Sequence, residues 1–437
     1  MSSLQHFGWF LARGFGPHGW GHPSLDWNYR WTEPRLYQES ARTLEQAGFD
    51  LLIVEDAPSL GSADTIDLRV RHAFGGPKHD PLMLAPYLFA ATEHLGVVPT
   101  VNPAAYVPYT AARQFASLQH LSGDRLGLNV VTDTGSARHF GTAAPLGHDA
   151  AYDRAEEWLD GIRSLWRSWD DGALVRDVES GRYADGTRMR HTRHRGEYFG
   201  FDGPLNALPF DEGEPVIVSP GGSGRGLGFA GANSDVQLAL APLDEQSIRG
   251  YRAKIHDAAI ARGRAPEDIS ILFAIQPVLV SSPEEADRLV AASRTPDEET
   301  LRTIARRQSS DLETDLTALD LDAPLDTAIF ADHVSHGSIR RLVGDHDAAT
   351  PLRTILAAHA RLGRLSDGTG FVGTAGELAD RIDELGAWGN DGVLLWGDLH
   401  PVTVHRMLDE LVPILRRRGI LRDSYAPGGL RANLRAF

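Results

Sequence analysis

Short apolar runs recur along the chain at His6–Leu11, Asp50–Val54, Gly96–Val101, Leu126–Val131, Pro215–Ser219, Val236–Ala241, Ile269–Pro277 and Gly392–Trp396. Each has the length of a strand, and between successive runs lies a stretch whose apolar positions recur at helical spacing. Near-continuous apolar runs belong to strands buried on both faces, and their alternation with helices implies a parallel sheet covered by those helices. The pattern predicts an α/β fold, a (β/α)8 TIM barrel. The clearest helical period runs from Tyr152 to Trp169, where Leu159, Ile162, Leu165, Trp166 and Trp169 fall at three- and four-residue steps. These tryptophans are expected in the core.

Two stretches interrupt the alternation. Asp170 to Glu214 is rich in Asp, Gly, Arg and His, and Ser293 to Gly370 is mainly helical in pattern. The chain is therefore read as a single barrel domain over residues 1–437, with insertions near 170–214 and 293–370. Long loops after barrel strands serve as lids or substrate walls.

In such a barrel the strand ends converge on one face. Glu55 and Asp56 follow the second run, Thr100 and Asn102 close the third, and Asn129, Thr132 and Asp133 close the fourth. Asp56 and Asp133 could form a glycosidase pair, but the seventh run, Leu272-Phe-Ala-Ile-Gln-Pro, offers no acid, and the cleft residues favour amide and hydroxyl hydrogen bonding. Asp56 has a simpler reading as the cap of the next turn. No GxSxG elbow is present, so no hydrolase nucleophile of that form is available.

The segment Ser219-Pro-Gly-Gly-Ser-Gly-Arg-Gly226 follows an apolar strand and precedes a helix expected from Leu227 to Ala232. Glycines let backbone N–H groups converge on an anion, and the helix N-terminus adds a favourable dipole. Ser223 and Arg225 are candidate side-chain donors. The alternative is a Gly-rich turn without a ligand. Gly226, Gly228 and Gly231 also satisfy GxGxxG, but they fall inside the expected helix rather than in the turn after the strand. A nicotinamide-binding Rossmann unit is thus poorly supported.

Composition narrows the function classes. With 43 Lys+Arg against 59 Asp+Glu the formal charge is −16, which repels nucleic acid and anionic lipid. The absence of Cys excludes disulfides, thiolate nucleophiles and Cys-bound metal. The His pairs 18/22, 191/194 and 333/336 lack an HExxH arrangement, so no metal site is expected. His18 follows the first strand, where an imidazole could move a proton near neutral pH. Neither a signal peptide nor a membrane span is evident, and a cytoplasmic protein is expected.

Several segments resemble the bacterial luciferase-like flavin monooxygenases, in the branch of nitrilotriacetate monooxygenase component A and the long-chain alkane and dibenzothiophene-sulfone monooxygenases. They are Asp80-Pro-Leu-Met-Leu, Arg113 to Arg125 leading into Asn129-Val-Val-Thr132, and Tyr152-Asp-Arg-Ala-Glu-Glu. Further matches are Gly196-Glu-Tyr-Phe, Gly203-Pro-Leu-Asn, Pro215-Val-Ile-Val, Ser223, and, in the tail, Val412 to Arg422 with Leu430-Arg-Ala-Asn-Leu434. The resemblance implies a TIM barrel binding FMN as reduced FMNH2, supplied by a separate NAD(P)H:flavin reductase. O2 is then the co-substrate, acting through a flavin C4a-(hydro)peroxide on a small organic molecule. By position, the phosphate lies near Tyr152, Gly221, Gly222 and Ser223, and the ring meets Asp56, Thr100, Asn129 and Thr132. His18 is the candidate acid–base residue, and a homo-oligomer is expected. Leu128 stands where the family has Trp, Asp133 where it has Ser, and Ser219-Pro-Gly221 where it has Gln-Ala-Gly. A deazaflavin hydride-transfer enzyme and a catalytically idle flavin-binding protein are the alternatives.

Overall fold

The computed structural model describes residues 3–11, 31–132, 135–141, 146–211, 213–331, 334, 336–363, 370–397, 399 and 401–437. Its first half alternates β1 (His6–Leu11), α1 (Pro34–Ala47), β2 (Leu51–Val54), α2 (Ile66–Val70), α3 (Pro81–Phe89), β3 (Gly96–Val101), α4 (Pro108–Ser122), β4 (Gly127–Val130) and α5 (His148–Trp166). Four short strands follow: β5 (Leu174–Asp177), β6 (Arg182–Ala184), β7 (Arg193–Arg195) and β8 (Gly200–Asp202). The alternation resumes with β9 (Val216–Pro220), α6 (Gly224–Asn233), β10 (Val236–Ala239), α7 (Glu245–Ala261) and β11 (Ser270–Leu279). Helices α8 (Pro283–Ser293), α9 (Glu298–Leu312), α10 (His336–Val343) and α11 (Leu352–Ala360) precede β12 (Gly370–Gly373). The chain ends with α12 (Ala375–Ala387), β13 (Gly392–Gly397), α13 (Pro401–Arg417) and α14 (Leu430–Leu434).

Eight parallel strands close into a barrel in the order β10-β9-β4-β3-β2-β1-β13-β11, with β10 pairing back to β11. All eight expected strands are found, each within a few residues of its expected ends. The first insertion is two antiparallel hairpins, β5–β6 and β7–β8. The second carries α9 to α11 around a core of its own, including Leu301, Leu316 and Leu356. Strand β12, which the sequence pattern did not reveal, extends the sheet alongside the far end of β11. Helix α5 begins at His148, a turn earlier than expected, and ends at Trp166; Trp166 is in the core as expected, whereas Trp169 lies beyond the helix and is only half-buried. Among the described residues no helix is long and apolar enough to cross a membrane.

Strand side chains alternate between barrel interior and helical shell. Leu51, Ile53, Val98, Val216, Val218, Val236, Leu238, Leu272 and Leu394 form the interior, joined by Leu430 and Leu434 of α14. A side chain at Gly96 or Gly127 would meet the Leu430 side chain, so α14 plugs the N-terminal mouth. Three aspartates immediately before strands tie that rim together. Phe7 N–H donates to Asp50, Ile217 N–H to Asp235 and Ile271 N–H to Asp391, each at 2.8 Å. Each aspartate also pairs with an arginine: Asp50 with Arg422, Asp235 with Arg431 and Asp391 with Arg252.

Candidate active site

Carrying the same alternation toward the C-terminal ends places Thr100 two residues beyond Val98 and Asn129 two beyond Gly127, both inside the barrel. They are register partners on β3 and β4, and Asn129 Nδ2 donates to Thr100 Oγ1 at 2.9 Å. Fixing the amide this way leaves Asn129 Oδ1 buried without a hydrogen-bond partner among the described residues. A buried amide oxygen left unpaired is unfavourable unless a ligand donates to it. Opposite, Phe10 and Trp396 are register partners on β1 and β13, with ring centroids 5.1 Å apart at 79°. The mouth therefore pairs a polar wall with an aromatic one.

Beyond β2 lies a cluster of charge. Lys78 pairs with Glu55, and Asp80 caps α3 by accepting from Leu82 N–H at 2.8 Å. Asp56 is mostly buried, and that burial pushes its carboxyl up to about 7; Lys78 opposes the shift while Glu55 and Asp80 add to it. Asp56 therefore holds or gives up a proton near neutral pH. Tyr106, in the loop after β3, is likewise raised by burial and then by Asp80 and Asp56. Asn102 folds that loop back by accepting from Ala104 N–H at 3.0 Å.

The Gly-rich segment is the turn between β9 and α6, as its composition predicted, and Gly226, Gly228 and Gly231 all lie within α6. Ser223 is the N-cap, its Oγ accepting from Gly226 N–H at 3.0 Å. Gly221 has φ +133°, a region L side chains rarely adopt, and a Cβ there would lie 3.2 Å from the Tyr152 hydroxyl. Nothing lies within 4 Å of a Cβ built on Gly222, so the backbone is open to close approach. Two residues from neighbouring elements fix the turn: Gln237 Nε2 and the Tyr251 hydroxyl both donate to Gly221 O at 3.0 Å. His148, on the first turn of α5, reaches Ser223 Oγ at 3.3 Å. Two helix N-termini thus converge on one loop, the geometry that favours a phosphate.

Of the predicted phosphate residues, Tyr152, Gly221, Gly222 and Ser223 are brought together. Arg225 departs from its expected role as an anion donor. Its guanidinium is held by Glu156 and Asp153 at 2.7 to 2.9 Å, 5.6 Å over the Tyr152 ring. Thr100 and Asn129 lie on the neighbouring strands β3 and β4, and Asp56 and Thr132 just beyond the C-terminal ends of β2 and β4. His18 and Asp133 lie outside the described residues. His148, Gln237 and Tyr251 escaped the sequence reading; only His148 left a signal, standing four residues before Tyr152 on one helix face. A polar groove of about 1040 Å³, lined by Asp160, Arg163, Glu214 and Arg431, lies elsewhere and includes none of the predicted site residues.

The fit to a flavin mononucleotide rests on features of this structure: an unpaired amide oxygen for the polar edge of a ring, an aromatic wall, and a glycine cradle at two helix N-termini.

Known proteins place the fold. The model of the luciferase-like monooxygenase family matches residues 6–392. The chain is 33% identical to dibenzothiophene-sulfone monooxygenase of Rhodococcus erythropolis strain XP, over 98% of this chain and 96% of that protein. It is 31% identical to nitrilotriacetate monooxygenase component A of Aminobacter aminovorans, over 97% and 95%. Among solved structures, riboflavin lyase with modified FMN and its substrate riboflavin superimposes with a TM-score of 0.82 at 28% identity, over 100% of this chain and 96% of that one. This chain belongs to the luciferase-like monooxygenase family, the flavin-dependent monooxygenases.

Proposed function

We propose that the protein is the oxygenating component of a two-component system. It takes reduced FMN from a separate NAD(P)H:flavin reductase and uses O2 to oxygenate a small organic substrate. The observation that carries this reading is the pairing of a built phosphate cradle at Gly221–Ser223 with the unpaired Asn129 Oδ1 at the barrel mouth. The relative named component A, and the lyase structure holding a modified FMN, support it.

When bound, reduced flavin supplies the electrons that let one atom of O2 enter the substrate while the other leaves as water. The protein's own residues do the rest. Tyr152, Gly221, Gly222 and Ser223 would hold the phosphate, with His148 beside Ser223. Thr100 orients Asn129, whose unpaired Oδ1 would accept from an N–H of the flavin. Phe10 and Trp396 exclude water from the mouth. Asp56 holds a proton near pH 7, and His18, which follows β1 in sequence, is the candidate acid–base residue.

The test supplies NADH, a flavin reductase and FMN, and follows oxygen uptake and ¹⁸O incorporation across a panel of organosulfur, aminocarboxylate and alkane compounds. A compound that draws label from ¹⁸O2 into product establishes the reading. Tight binding of a deazaflavin in preference to FMN, with no oxygen uptake beyond free flavin, overturns it. His18→Ala is expected to lower product yield per oxygen consumed and to leave flavin affinity unchanged.

A further inference from the structure

Arg154 is a largely buried arginine with no carboxylate paired to it among the described residues. Its side chain on α5 is 7% exposed, and its Nε is buried without a hydrogen-bond partner among the described residues. Neighbouring arginines on the same helical layer are matched: Arg163 with Glu214 and Asn233, Arg225 with Glu156 and Asp153. Burying a guanidinium nitrogen without a partner is unfavourable, and a ligand that accepts from it removes that cost.

Its position points to the barrel mouth. Helix α5 starts at the C-terminal face, where His148 meets Ser223, and Trp158 one turn beyond Arg154 donates its indole N–H to Tyr106 O in the loop after β3. Helical side chains lean toward the helix N-terminus, so Arg154 leans toward that face. Above it runs a strap of the first insertion, residues 196–199, pinned because Glu157 accepts backbone N–H groups of Glu197, Tyr198 and Phe199 at 2.8 to 3.0 Å. Burial lowers the Arg154 pKa, and the group that opposes this shift is Tyr198 in this strap. Around the helix, Arg154 stands about 200° from Tyr152, so it faces away from the glycine cradle and toward the side of Tyr106.

We propose that Arg154 is a receptor for an oxyanion at the barrel mouth. A planar guanidinium fork suits two oxygens of a carboxylate, a sulfur oxyanion or a phosphate. The orientation away from the cradle favours an acidic group on the organic substrate as the source; the flavin phosphate is the other source of the same chemistry. This deepens the monooxygenase reading and rests on it for the identity of those two ligands.

The test uses full-length protein with Arg154→Met and Arg154→Lys. Binding of FMN and of riboflavin is measured by fluorescence, and the melting temperature is followed against millimolar sulfate and succinate. Wild type is expected to be stabilised by the anions, R154K in part, and R154M not at all. If the flavin phosphate is the source, R154M weakens FMN tenfold or more and leaves riboflavin unchanged; if the substrate is, both flavins bind R154M as they bind wild type. R154M and R154K responding to all four ligands as wild type does overturns the proposal. Failure of wild type to bind either flavin counts against the monooxygenase reading alone, because the sulfate and succinate responses still decide the role of Arg154.

Discussion

The two ends of the barrel use buried charge in opposite ways. At the N-terminal end, Asp50, Asp235 and Asp391 each accept a strand N–H and face an arginine, and α14 fills the opening with Leu430 and Leu434. At the C-terminal end, Asn129 Oδ1 and Arg154 Nε are buried without partners among the described residues, and Asp56 holds its proton up to about 7. The first arrangement closes a structure; in the proposed function, a ligand completes the second. Residues at the two ends should therefore divide cleanly into those that change stability and those that change binding.

The largest expected effect is at the closed end. Asp50 is 1% exposed and paired with Arg422 at 4%, so D50A leaves a buried guanidinium without its carboxylate and destabilises by about 3–5 kcal/mol. Denaturant unfolding measures it, and FMN affinity of the folded fraction should not move. Next, L430A opens a cavity at the plug and costs about 2–5 kcal/mol by the same measurement. A loss of flavin binding by either folded variant would break the division.

Smaller effects belong to the open end. S223A removes the cap of α6 and a donor at the cradle, costing about 1 kcal/mol of stability but about tenfold in FMN affinity. Riboflavin affinity should be spared, because only the phosphate is addressed. Asp56 provides a pH signature. A carboxyl raised to about 7 in the folded state and ionising near 4 when unfolded keeps its proton longer in the fold. Between those values the unfolded chain binds fewer protons, so ligand-free stability falls as pH rises from about 4 to about 7. D56N should flatten that slope, read from melting temperatures across the range; an unchanged slope would place the titrating group elsewhere.

The barrel was legible because strands buried on both faces are written as contiguous apolar runs, and the cradle because its glycines follow such a run directly. The clasps were not. Asp50 and Arg422 lie hundreds of residues apart in sequence, and no local pattern marks a carboxylate for a partner brought to it only by barrel closure. The hairpins β5–β6 and β7–β8 carry few apolar positions, so they read as polar loop. Gln237 and Tyr251 sit on a strand and helix whose spacing predicts burial, without showing that both would meet on Gly221 O. Arg225 was misjudged because its neighbours Asp153 and Glu156 come from another helix. Arg154 stood in a recognised segment, and only its burial without a counter-ion singles it out.

The most direct test is anaerobic titration calorimetry of reduced FMN into wild type, S223A, N129A and the closed-end variant R252Q. The account predicts binding to wild type, tenfold or greater weakening in S223A and N129A, and wild-type affinity in R252Q. No binding of reduced FMN to wild type, or equal affinity across all four proteins, would contradict it.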